Sequence, residues 1–278
     1  MTASTTAVPP IGSPATNRVA DRRPNLRLLV HQLRYELRTM RRNPTLIGFT
    51  IGMPLAMMLI FAELMGNEDL SAIGVLYKDY LAPRMVVLAI LTSSFVSLAI
   101  SVSLRRGNGE LKRVRSTPMP AGLVIAALGI TTASLSLVSA TSVMVTSWWV
   151  FAIPPPALVP TVLVLVVGCA TGAALGLAMA TFIRRPDNAI AVSNGVLWPV
   201  VFISGTYTLV ATDSLLDRIA GVLPVRHLND AAQAASSAAG GTIAWWDVGV
   251  VAAWGVVAAA VALRRFEWEP HTKDILRR

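Results

Sequence analysis

"RRGNGELKRVRSTPMP", residues 105–120, sets five Lys or Arg within eleven positions between two long apolar runs. One such cation at the centre of a bilayer costs about 2.5–3.5 kcal/mol to insert, so five together would cost roughly 15 kcal/mol. If the flanking runs cross a membrane, this basic knot must lie in water beside it. Its place therefore decides how the rest of the chain is threaded.

The surrounding chain is 54% hydrophobic and only 14% charged, which is a membrane composition. Its apolar residues come in blocks rather than stripes. Crossing about 30 Å of hydrocarbon takes about 20 mainly apolar residues, and six runs qualify: 45–65, 80–104, 122–151, 157–183, 188–211 and 244–263. The fold expected is all-α and polytopic, with six transmembrane helices and a kink near Pro199 in the fifth. The polar, basic stretch before the first run contains no short apolar core with a cleavage site, so that run is expected to stay in the membrane. Residues 1–23 read as a disordered tail, 24–270 as the membrane domain and 271–278 as a second tail. Cys169 stands alone, which excludes an intrachain disulfide and leaves stability to helix packing.

Lys and Arg near spans mark the cytoplasmic side. Twenty of the 24 fall on the side of the knot, and only Lys78, Arg84, Arg218 and Arg226 fall opposite. Both termini are thus expected in the cytoplasm, with the chain multi-pass in the bacterial inner membrane. Tyr77, Tyr80, Trp148, Trp149, Trp245 and Trp246 lie at span ends on the other side, where interfacial aromatics belong. Anionic lipid and this orientation account for the net charge of +9, so no nucleic-acid partner is expected.

Within the knot, Gly107 and Gly109 allow a tight exit from the second span, and Glu110 suits the first turn of a short helix over about 110–115. Thr117 and Pro118 read as the cap and first turn of the third span. Upstream, "LRLLVHQLRYELRTMRR", residues 26–42, sets Leu26, Leu29, Val30, Leu33, Leu37 and Met40 on one helical face. Arg27, His31, Arg34, Arg38 and Arg41 take the other, the pattern of a helix lying in the lipid interface.

Gly168, Gly172 and Gly176 recur every fourth residue in the fourth run and predict close helix packing. Glu63 and Arg84 sit near the outer ends of the first two runs, where snorkelling or mutual pairing would satisfy them. Between the last two runs, Leu215, Leu216, Ile219, Val222 and Leu223 form one apolar stripe. Pro224 restarts a helix with a second stripe at Val225, Leu228, Ala232, Ala235 and Ala239, before Gly240 and Gly241. Two short helices result, lying flat on the outer leaflet or dipping into it.

The basic interfacial helix, the "RRNPTL" stretch (residues 41–46) leading to a first span with Pro54, and the Gly-rich then basic loop resemble type-2 ABC exporter permeases. The likeness is closest to the drug-resistance group typified by the daunorubicin permease. Its most specific part is "FISGTYTLVATDSLLDRIAGVLPVRHLNDAAQ", residues 202–233, where Leu223, Pro224, His227, Asp230 and Ala231 match the family's pattern. Thr208 and Leu209 stand where the family often has Pro. The resemblance implies that Gly109, Glu110, Leu111, Lys112, Arg113 and Arg115 form a coupling helix that docks into a separate ATPase subunit. It further implies an outer re-entrant gate with Leu223, Pro224, His227 and Asp230, and an N-terminal interfacial elbow helix. A second permease, most simply a copy of this chain, and membrane lipid complete the expected partners. ATP and Mg would be bound by the ATPase subunit, with no cofactor in this chain.

Other activities fare worse. The chain has no Gly before Ser204-Gly205 at the spacing of a membrane serine protease, and His31, His227 and His271 lie outside the runs. Three scattered histidines and one cysteine make no metal cluster. Lys78, Lys112 and Lys273 follow Tyr, Leu and Thr rather than the Gly of a phosphate loop. No chain of Asp, Glu or His crosses the middle of the spans, which argues against a proton-driven antiporter. The mostly uncharged interior, with 6% aromatics, favours a lipophilic drug as cargo; alternatives are a lipid or glycan conjugate, or secondary transport on an ion gradient.

Overall fold

The computed structural model describes residues 22–42, 44–70, 74–115, 121–211, 213–237 and 240–265. The architecture is built around one helical rod, Tyr77–Gly107. Its first part, α3 (Tyr77–Leu91), and its last, α4 (Ser97–Gly107), are joined without a break by a π-turn at Thr92–Val96. Thr92, Ser93 and Ser94 return their hydroxyls to the carbonyls of Leu88, Ala89 and Ile90 at 2.9, 2.7 and 2.6 Å. Three successive back-bonds of this kind loosen the regular ladder while pairing all three hydroxyls inside an apolar bundle. Leu81, Met85, Leu88, Ile90 and Leu98 are fully buried along the rod.

The other helices enclose it. Before the rod come α1 (Arg22–Arg41), α2 (Pro44–Met65) and a minimal antiparallel hairpin of β1 (Asp69–Leu70) and β2 (Val75–Leu76). After it come α5 (Glu110–Arg115), α6 (Ala121–Phe151), α7 (Leu158–Phe182) and α8 (Ala189–Ile203). Two short helices follow, α9 (Leu215–Ala220) and α10 (Pro224–Ala235), and then α11 (Trp245–Arg265). Helices α2, α6, α7 and α10 pack on α3, while α11 lies against α7. The expected cap at Thr117-Pro118 lies outside the described residues.

Close approach of α7 to the rod depends on glycine. A methyl group at Gly172 would collide with Ser94 Oγ, and one at Gly176 would stand 2.7 Å from the Phe95 carbonyl oxygen. Gly168 faces Leu228 of α10 and Ile90 of α3 at 3.3–3.4 Å. On the other side of α7, Thr171 donates to the Val251 carbonyl of α11 at 3.0 Å, a polar tie between two apolar helices.

Outward faces are apolar: Phe49, Leu64, Trp149, Leu158 and Leu263 are exposed. A water-soluble monomer does not expose an apolar surface of this extent. Among the described residues, five helices are long and apolar enough to cross a membrane, namely Ile47–Met65, Tyr77–Gly107, Gly122–Phe151, Leu158–Phe182 and Trp245–Arg265. The chain is therefore an all-α, multi-pass integral membrane protein.

The fifth apolar run departs from expectation. Its helix, α8, continues through Pro199 but stops at Ile203 rather than at residue 211. Fifteen residues extend only about 22 Å, short of the hydrocarbon thickness. The cause is local: Gly205 takes φ +71°, and residues 204–207 turn back into the bundle, where side chains of α3 and α10 hold their polar groups. Apolar composition alone does not register that competition.

Candidate functional site

At one end of the bundle, α4 turns into α5 through Gly109, whose φ of +70° suits glycine and strains other residues. Leu111 is buried and pins the short helix, leaving Lys112 and Arg113 exposed. The backbone of Arg115 closes α5; its side chain lies outside the described residues.

The five cations of the knot do not act alike. Arg105 folds inward and grips Glu36 of α1 with two bonds, Nη1 to Oε1 at 2.9 Å and Nη2 to Oε2 at 2.6 Å. Glu36 is only 3% exposed, and Gln32 donates to it at 2.9 Å. Arg105 also lies 4.0 Å from Glu110, so one guanidinium ties the amphipathic α1 to the start of α5. Arg106 is buried and donates to the Ile183 carbonyl at the end of α7. Reading the knot as a uniform basic patch thus misses a split: two arginines build the joint, while Lys112 and Arg113 face outward. A lone glutamate in the arginine-rich α1 was the available signal.

The opposite end is organised by the rod's other terminus. Tyr77, Tyr80 and Arg84 share one helical face. Tyr77 donates to the Tyr207 carbonyl at 2.7 Å, while Tyr80 and Arg84 (Nε, 3.2 Å) both donate to the Gly205 carbonyl. Arg84 is 7% exposed, stacks on the Tyr80 ring at 3.6 Å, donates to Gln233 of α10, and lies 3.7 Å from Asp230. The expectation that Arg84 snorkels outward or pairs with Glu63 is therefore corrected. Arg84 points inward, toward a dense set of acceptors, and Glu63 is exposed.

Asn229, fully buried, adds bonds to the Ser204 carbonyl and Thr206 Oγ1 at 3.3 and 3.0 Å. Arg226 bonds Asp230 at 3.0 Å and Asp217 of α9 at 3.2 Å, bracing the two short helices. Burial opposes the Arg226 charge, but Asp230 and Asp217 outweigh it and raise its pKa. His227 sets Nδ1 2.7 Å from Asp247 Oδ1 and Nε2 2.9 Å from the Gly221 carbonyl. The ring thereby links α10 to the start of α11 and to the turn after α9.

Helix α9 is capped by Ser214, whose hydroxyl accepts from the Asp217 amide at 3.1 Å. Pro224 opens α10, and Val225, Leu228, Ala231, Ala232 and Ala235 form its buried face. Leu223 is half-buried before that turn, and Ala239 lies outside the described residues. The α9 stripe behaves differently: Leu215, Leu216, Ile219 and Val222 are all exposed. Sequence reasoning located the pair but read Tyr77 and Tyr80 only as interfacial aromatics and missed Asn229, Gln233 and Asp247, whose partners lie on other elements.

The bundle thus holds a short charged helix at one end and a braced helical pair at the other, and comparison with known families places it among membrane transport proteins. The chain belongs to the ABC-2 type transporter family, whose model matches residues 28–236, well over half of its length. Such a domain is the permease component of an ABC transporter, has no ATPase motif of its own, and normally works with an ABC ATPase partner. No curated protein matches the chain.

Proposed function

We propose that the chain is the permease subunit of an ATP-driven exporter of the drug-resistance type, moving lipophilic drugs outward across the bacterial inner membrane with both termini in the cytoplasm. Residues 24–270 form the permease domain between tails 1–23 and 271–278. Helix α8, with the short helical turn Pro186–Asn188 before it and the residues up to 211 after it, serves as the fifth of six spans, and α1 is the interfacial elbow. Two copies face each other across the pathway, embedded in lipid, and each meets one ATPase subunit that holds ATP and Mg.

The observation that carries this reading is the joint at α5: a six-residue helix tethered to the buried rod through Gly109, anchored by Leu111 and braced to α1 through Arg105 and Glu36. A helix so fixed transmits a push rather than absorbing it. Gly109, Glu110, Leu111, Lys112, Arg113 and Arg115 form the contact with the ATPase. Closure of the nucleotide subunits shifts the rod, and the rod's far end moves the pair bearing Leu223, Pro224, His227 and Asp230, which dips into the outer leaflet as a gate. Gly168, Gly172 and Gly176 let α7 travel with the rod.

Co-expression of chain and ATPase in a drug-sensitive strain tests the assignment. Glu110→Ala with Arg113→Ala is expected to restore drug accumulation to at least half the level of cells lacking the transporter, at normal membrane abundance. Undiminished efflux in the double variant removes the coupling role.

A further inference from the structure

The end of the bundle that carries the β-hairpin also holds a cavity of about 750 Å³, formed within one chain between α3, the α6–α7 connection and α10. That volume is in the range of small-molecule sites, about 300–1,000 Å³. Its walls are largely apolar, with Val86, Met144 and Pro154, and two carboxylates reach it, Asp79 and Asp230. These two are not equivalent. Asp230 is bonded by Arg226 at 3.0 Å and lies 3.7 Å from Arg84. Asp79 has no cation within ion-pair distance among the described residues, and the neighbouring Lys78 turns away to the Phe151 carbonyl at 3.5 Å.

We propose that this cavity binds an amphiphilic organic cation, its charge set against Asp79 and its apolar body against Val86, Met144 and Pro154. The chemistry excludes the alternatives in turn. An inorganic cation of the calcium or magnesium type is held by clustered carboxylates; here Asp230 is already bonded by Arg226, and no group of three or more His, Cys, Asp or Glu fit for a metal occurs among the described residues. An anion meets an unneutralised carboxylate. A neutral lipophile gains nothing from Asp79. The site lies inside a single chain, so it is distinct from a pathway between two permeases and stands or falls independently of the exporter reading.

Tetraphenylphosphonium and tetraphenylborate share size and shape and differ in the sign of charge, which makes them the probes of choice. Equilibrium dialysis on the purified full-length chain in nonionic detergent, without ATPase or nucleotide, measures binding alone. Saturable binding of the phosphonium is expected, with no competition by the borate. Asp79→Asn should weaken it roughly tenfold, the effect of losing one partly screened charge pair. Ala234→Trp, which fills the cavity from α10, should abolish it, with both variants eluting as the wild type on size exclusion. Equal affinity for the borate, or binding of the phosphonium by both variants as tightly as by the wild type, overturns the proposal.

Discussion

Glu36 is the only acidic residue among the arginines of α1, and it is more deeply buried than any of them whose side chain is described. A carboxylate taken out of water in this way is tolerable only because Arg105 and Gln32 meet it with three hydrogen bonds. Removing one partner leaves the other charged, buried and unpaired. Glu36→Gln and Arg105→Gln are therefore each expected to destabilise the purified protein by about 3 kcal/mol. The double variant should lose little more than either single, since the interaction is shared. Unfolding in detergent checks this, and simple additivity would show that the two residues do not act as a pair. Arg84 follows the same logic at the far end of the rod. Neither pairing was legible in the sequence, because Glu36 and Arg105 are 69 residues apart and Arg84 and Gly205 are 121 apart. Charge counting placed these arginines at opposite ends of the bundle, where they lie, but could not tell which would turn inward.

At the scale of the element, hydropathy fared better. Runs 45–65, 122–151, 157–183 and 244–263 correspond closely to α2, α6, α7 and α11, because length and apolarity alone determine whether a helix is at home in lipid. The fifth run failed at its end for the reason already given: polar partners from α3 and α10 stop the helix at Ile203. Glycine spacing also carried information, although its meaning depends on what lies opposite. Gly172 abuts Ser94, whereas Gly195 of α8 has nothing within 4 Å of where a side chain would start. Gly172→Ala is thus expected to cost about 1–3 kcal/mol through overpacking. Gly195→Ala should be neutral or stabilising by up to about 1 kcal/mol, from helix propensity. Thermal unfolding of the two variants side by side measures the contrast, and equal effects would mean that α7 does not rest on the π-turn. The α9 stripe provides a test of the gate. If Leu216 faces lipid in a re-entrant pair, Leu216→Cys resists bulky membrane-impermeant thiol reagents on whole cells. Rapid labelling would instead place α9 flat in the aqueous interface.

On the scale of the whole molecule, the rod Tyr77–Gly107 runs from one end of the bundle to the other, tied through Arg105 at one and through Tyr77, Tyr80 and Arg84 at the other. Under the proposed coupling, a push on α5 travels to the α9–α10 pair along this helix, whose regular ladder is interrupted at the π-turn Thr92–Val96. Basic-residue bias predicts the direction of that push. Epitope tags at either terminus are expected to be accessible only in inverted vesicles, and a tag reached from outside intact cells would reverse the mechanism. The central claim is that this permease moves cargo only when an ATP-hydrolysing partner drives α5. Its most direct test is drug transport in vesicles reconstituted with the purified chain, with and without the ATPase. ATP-dependent accumulation is expected only when both proteins are present; transport by the chain alone, driven by an imposed ion gradient, would contradict it.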